Sequence, residues 1–268
     1  MNTALPSFRP FPAAIRIAAF AFGLMVPLAA FAELTNDSLL GPGLRWRPAY
    51  DGSASRHLEL VPVVRYFGDT LFARSTQGVL EGGARYELAP GLHAGAQLAY
   101  ESGRKPSESD FLKIHNIAGL NPGASVGLHL EWDHKLGPMP ITLLGRVRQH
   151  TESDRGAQAD FRLSAGVFQK GPVSLGLFTQ ATWANAKSTG SFYGLTPQQS
   201  AGTGLPAYAA GSGLMYASAG LLYGIDLSKN WVVVGSLEAR RLRGDASGSP
   251  LVERASNYYF SSGVAYHF

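Results

Sequence analysis

The sequence contains no cysteine, so neither disulfide bonds nor thiolate chemistry can operate in it. Charged residues are scarce at 16%, and the two signs nearly cancel to a formal net charge of +4. That balance argues against nucleic acid as a partner, which would need a strongly basic face. Also missing, beyond the N-terminus, is any apolar run long enough to cross a bilayer as a helix. Helical spans are excluded; strand-built spans are not.

What is abundant is glycine, at 32 residues, together with 14 Phe and 11 Tyr at a mean hydropathy near zero. In a chain of 268 residues this composition favours one all-β domain. It fits a soluble β protein or a barrel whose strands alternate lipid-facing and lumen-facing residues. The N-terminus reads as a targeting segment. Arg9 and Arg16 form a positive region, Ile17 to Leu28 an apolar one, and Ala30-Phe31-Ala32 a small-x-small cleavage site. Residues 1–32 are therefore expected to be a signal peptide, with 33–268 as the barrel domain. Without Arg9 and Arg16, which no acid accompanies, the net charge falls to +2.

From Gly41 onward the chain divides into segments of about ten residues, the length that crosses a membrane at a tilt. Between Leu92 and Tyr100, one face carries Leu92, Ala94, Ala96, Leu98 and Tyr100, and the other His93, Gly95, Gln97 and Ala99. Period two with one apolar face is the pattern of a half-buried strand. Val126, Leu128, Leu130 and Trp132 repeat it against Ser125, Gly127, His129 and Glu131, as do Phe161, Leu163 and Val167 against Arg162, Ser164 and Gly166. A packed soluble core would not place glycine and charge on the inner face of strand after strand.

Connections alternate in length. Short ones fall at Phe67-Gly68-Asp69, Ala89-Pro90-Gly91, Lys170-Gly171-Pro172 and Asp226 to Asn230, with a slightly longer one from His134 to Met139. Long polar ones run over 101–120, 149–159, 184–213 and 244–256. Short turns on the periplasmic side and long loops outside are the layout of an outer-membrane barrel. The segments predict a closed antiparallel up-and-down transmembrane β-barrel of about twelve strands. The count becomes ten if 70–76 and 79–88 do not cross. The last segment puts Tyr258, Phe260, Val264, Tyr266 and Phe268 on one face and ends on the aromatic, like the assembly signal of such barrels.

Three stretches resemble the MipA/OmpV family. They are Gly41 to Ser53, Phe192 to Ser200 followed by Gly204 to Tyr208, and Arg241 to Val252; Gly263 to Phe268 completes the match. The resemblance implies an outer-membrane barrel without catalytic residues. For some members it also implies a scaffold joining a lytic transglycosylase and a peptidoglycan synthase, and for others adhesion, osmotic response or drug sensitivity. The segment from Arg104 to Asp110 is less acidic than the family pattern, so loop-specific properties do not carry over.

Other constellations have plain readings. Ser102-Gly103-Arg104-Lys105 matches an S-x-x-K nucleophile pattern but lacks the partner motifs and the helix it would open. The seven histidines show no ligand spacing with a carboxylate on the same face. No enzyme activity, cofactor or metal is expected. If the segments 139–149 and 159–169 pair, Arg146, Arg148 and Arg162 share an inner face, with Asp160 near Arg148, and form a basic lumen patch. Such a wall would attract anions. In the competing arrangement, which is favoured, Glu59, Glu81, Glu87, Glu131 and Glu238 answer these arginines together with Arg65, Arg85 and Arg240, and the lumen is filled.

The connection 184–213 carries Phe192, Tyr193, Pro197, Pro206 and Tyr208, more aromatics and prolines than a floppy loop requires. It is expected to fold inward or cap the mouth. The expected partners are outer-membrane lipids, the barrel-assembly machinery during biogenesis, and a transglycosylase with a synthase. The expected location is the outer membrane of a Gram-negative bacterium. The function favoured is a scaffold for peptidoglycan-remodelling enzymes; the alternatives are a small-solute pore and a surface adhesin.

Overall fold

A computed structural model describes residues 38–268. The expected signal peptide lies outside the described residues. Among them, twelve antiparallel strands close into a barrel in which each strand pairs with its chain neighbours and the last with the first. The strands are β1 (Leu39–Pro48), β2 (Arg56–Phe67), β3 (Leu71–Thr76), β4 (Val79–Ala89), β5 (Leu92–Glu101) and β6 (Gly123–Leu136). They continue with β7 (Met139–His150), β8 (Ala157–Lys170), β9 (Val173–Ala184), β10 (Gly213–Asp226), β11 (Trp231–Leu242) and β12 (Ser256–His267). Closure follows from solvent chemistry: in hydrocarbon an open edge strands backbone N–H and C=O groups at several kcal/mol each.

Alternation sorts each strand. On β8, Asp160, Arg162 and Ser164 are buried in the lumen while Phe161 and Val167 are exposed to lipid. The outward faces carry two aromatic girdles. Trp46, Tyr100, Trp183 and Tyr258 stand near the loop end; Tyr66, Tyr86, Trp132, Trp231 and Tyr266 stand near the turn end. Aromatics at both interfaces, with aliphatic residues between, are the outer surface of a membrane barrel.

The largest difference in strand boundary from the sequence reading is at the end of β6. β6 runs on through His134 to Leu136, and the turn before β7 is the tight pair Gly137-Pro138, because His134 stacks on Trp132 at 4.8 Å and stays in the ladder. β3 takes its expected place in the barrel but is only six residues long. Its link to β4 is the two-residue turn Gln77-Gly78, both with positive φ, the geometry whose twist matches that of a hairpin. This turn is the one short connection at the loop end.

Glycine is needed for a different reason at Gly83. A Cβ there would lie 2.0 Å from the Ala96 carbonyl oxygen and 2.8 Å from Gln97 Cα, both backbone atoms of the paired strand. Gly83→Val is expected to prevent β4 from seating on β5 and to abolish heat-modifiable, folded protein in membrane fractions. Gly145→Ala, where nothing lies within 4 Å, serves as the silent comparison.

Candidate functional site

The lumen is where the buried polar groups gather, in two sectors on facing walls. In the first, Glu81 on β4 accepts from Arg74 on β3, from Arg146 on β7 at 2.8 Å and from Gln97 on β5 at 2.8 Å. Arg146 Nε also donates to Asp160 on β8 at 2.7 Å. Asp160 further accepts from Arg148 at 3.0 Å and from the Thr182 hydroxyl at 2.7 Å. Arg74 reaches Glu131 on β6, and Arg148 reaches Glu101 on β5. Seven strands are thereby tied side chain to side chain across positions that pairing alone brings close, such as Arg146 opposite Asp160.

In the second sector Arg240 on β11 bridges Glu238 at 2.9 Å and Asp51 at 2.7 Å. Its guanidinium stacks over Tyr216 and Tyr259, with 4.2 and 4.5 Å to the ring centroids. Tyr259 donates to Asp51. Beside it, Arg47 meets Glu59 at 2.9 Å and Arg45 meets it at 3.5 Å.

Asp51 belongs to the connection between β1 and β2, above the strands. Burial opposes its ionisation, but the Arg240 guanidinium and the Tyr259 hydroxyl outweigh burial and hold the carboxyl below its ordinary value. A depressed folded value means that this contribution to stability is complete above the unfolded carboxyl value, about 4. It is lost as pH falls through the folded value. Pepsin nicking of the 185–212 connection is therefore expected to rise below about pH 4, and Asp51→Asn to flatten that dependence. Identical pH profiles for the two proteins would remove Asp51 as the cause.

Over the mouth, four connections knit into a lid that contains most of the apolar core. Helices α1 (Asp110–Ile114), α2 (Ala186–Tyr193), α3 (Pro197–Ala201) and α4 (Gly244–Gly248) lie here. One cluster joins Ala49, Tyr50, Leu112, Ile117, Leu195 and Leu251; another joins Tyr193, Met215, Tyr216, Leu242 and Ala246. The connections are sewn together by Tyr50 Oη donating to the Leu251 carbonyl at 2.9 Å, Arg104 to that of Phe192 at 2.9 Å, and Ser249 to that of Tyr193 at 2.6 Å. Burial pushes the Tyr50 and Tyr193 hydroxyls up, so both stay protonated at any physiological pH. Burial lowers Arg104, which spends its donors on carbonyls and faces the Tyr50 ring.

Of the residues singled out from sequence, Arg146 and Arg148 lie together in the first sector, and Arg162 lies one step toward the turn end, 3.9 Å over the Phe178 ring. Phe192 and Tyr193 end α2, with Tyr193 buried. Pro197 opens α3 behind the capping box of Thr196 and Gln199. Pro206 is exposed, and Tyr208 pairs with Leu195 and donates to the Asp245 carbonyl at 2.9 Å. Glu87, expected to answer an arginine, instead accepts the Gly91 N–H at 3.0 Å. Sequence reasoning missed Arg74, Asp51 and Tyr259. Lys105 of the S-x-x-K match precedes a single 3-10 turn, Pro106–Glu108, and faces Glu108 at 3.8 Å.

Below the sectors, nearer the turn end, the lumen opens into a cavity of about 310 Å³ with Ser164, Ser174, Ser236 and Ser262 in its wall.

A closed antiparallel barrel with aromatic girdles, a charged interior and long loops at one end is an outer-membrane β-barrel. The family model for MltA-interacting protein MipA matches residues 40–268, and the chain belongs to that family. No curated protein matches the chain. Among solved structures it is similar to the COG4313 outer membrane channel from Pseudomonas putida F1, at 13% identity over 88% of this chain and 97% of that one, TM-score 0.48. It is also similar to LpxR from Salmonella typhimurium, at 9% identity over 86% and 100%, TM-score 0.49. The NanC porin compares at 9% identity over 86% and 100%, TM-score 0.47. None of these likenesses bears on activity or cargo.

Proposed function

We propose that this protein acts as a non-conducting, non-enzymatic membrane anchor. It holds a lytic transglycosylase, and through it a peptidoglycan synthase, at the periplasmic side of the outer membrane. The observation that carries this reading is the filled upper lumen. The Arg146 side chain is only 3% exposed and is held by carboxylates from two other strands, and the lid closes over it. A lumen occupied in this way leaves the outer surfaces to do the work, and the family name adds the partner.

Two measurements test it. In planar bilayers the protein is expected to give no conductance steps, whereas regular steps altered by Arg146→Glu would favour a solute pore. A pull-down of the tagged protein from solubilised membranes is expected to recover the transglycosylase, and recovery of none would end the scaffold reading.

A further inference from the structure

The barrel wall is incomplete beside β2. Adjacent strands elsewhere share six to twelve residue pairs. β2 and β3 share three, from Phe67↔Phe72 to Arg65↔Arg74. One residue higher, the Val64 N–H donates to the Ser75 hydroxyl at 3.0 Å instead of to a backbone carbonyl. Above that, among the described residues, β2 has no ladder partner on this side: Thr76, next in register, pairs only with Val79 of β4, and the hairpin then turns at Gln77-Gly78. Pro62, which has no N–H to offer, sits in this bare stretch, where a strand tolerates proline.

The gap lies at hydrocarbon depth. On β2 it falls between Leu58, opposite the girdle residue Trp46, and the girdle residue Tyr66. Leu60 is 79% exposed, more than any other leucine of the lipid face. Irregular backbone at that depth is tolerated only where it lines a cavity or is covered. Here it lines one: Val61, Pro62, Val63, Thr76, Gln77 and Gly78 all contribute to the wall of the lumenal cavity. Pro62 shares the outward parity of Leu58 and Leu60 and lines the cavity together with Val61 and Val63, so the lumenal space runs along the unpaired edge of β2.

The chemistry inside the gap is of two kinds. Its frame is aliphatic, through Val61, Pro62, Val63 and Leu80. The charged group set against the hairpin tip is cationic: Arg45 Nη1 packs so close to Gly78 that a Cβ there would lie 1.8 Å away. Two more cavity-lining donors, Gln77 Nε2 and Arg74 Nη2, are buried without a hydrogen-bond partner. Buried donors call for an acceptor.

We infer that this gap is a lateral portal that admits a single-chain amphiphile with an anionic head from the bilayer. The acyl chain lies along Val61, Val63 and Leu80, and the head meets Arg45, Gln77 and Arg74. The proposal goes beyond the anchor reading, which stands if the portal fails.

The probe is palmitic acid carrying a mid-chain diazirine, irradiated with the full-length protein in phospholipid vesicles, with adducts mapped by mass spectrometry. Adducts are expected on residues 58–63 and 76–80 and on the lumenal residues Leu144 and Leu222, falling at least tenfold with excess palmitate. Val61→Trp and Leu80→Trp narrow the frame from opposite sides; heat-modifiable migration verifies that each is folded. Either is expected to lower lumenal labelling at least fivefold and leave labelling of the outward residues Leu98 and Leu128 unchanged. Labelling confined to outward residues, or lumenal labelling unchanged in both variants, overturns the portal. The matching hexadecanol probe, and Arg45→Gln with the acid, are each expected to give several-fold weaker lumenal labelling. Equal labelling by alcohol and acid overturns the anionic head.

Discussion

Replacing Glu81 with alanine is expected to lower the stability of the folded barrel by about 3–5 kcal/mol, the usual consequence of removing one partner from a buried ion network. Its side chain is fully buried and serves Arg74, Arg146 and Gln97 at once. Without it, two guanidinium groups face each other across the lumen with one carboxylate partner fewer each. Urea unfolding of the protein in lipid vesicles, followed by tryptophan fluorescence, measures the loss. The double variant Glu81→Ala/Arg146→Met is expected to recover part of it, since one stranded charge is gone and the pair is coupled. A loss below about 1 kcal/mol, the scale of an exposed ion pair, would mean that water screens the site.

The second large effect is expected from Arg240→Met. The substitution keeps a long apolar stem against Tyr216 and Tyr259 but leaves the buried Glu238 and the half-buried Asp51 without their guanidinium partner. The cost is again about 3–5 kcal/mol, and it falls on the lid. Asp51 sits beside Tyr50, whose hydroxyl is fixed to Leu251 on the connection between β11 and β12. Protease nicking of 185–212 in intact cells should therefore rise at least tenfold. Arg240→Lys should not rescue it, because an ammonium cannot bond two carboxylates in a fork while stacking on two rings. Unchanged nicking in Arg240→Met would show that the lid holds without this sector.

The strands were readable because a bilayer imposes period two on every crossing, so Leu98, Leu128 and Phe161 announce the lipid face by themselves. That Arg146, Arg148 and Arg162 share a face, with Asp160 near Arg148, was readable too, since adjacent strands joined by one loop fix it; that Asp160 also takes Arg146 emerges only from the register. Arg74 was not: its strand is six residues long, and its partner Glu131 is 57 residues away, placed by the stagger of the barrel. The same holds for Asp51 and Tyr259, 208 residues apart, which meet only when the first and last strands close. Nor does sequence show the β2 gap. It depends on how far up the wall the β3–β4 hairpin climbs, and that is set by register.

The lid also bears on where foreign peptides can be grafted for detection on living cells. Four of the outward connections hold one another through Tyr50, Arg104, Tyr193 and Ser249, so an insertion in any of them disturbs all. The connection between β7 and β8 has four consecutive exposed residues, Thr151 to Asp154. An epitope spliced after Asp154, where Lys187 to the Ser153 carbonyl and Arg155 to the Asn121 carbonyl are the nearby ties, should loosen the lid less than the same epitope after Gly204, which would be displayed at the expense of the fold around it.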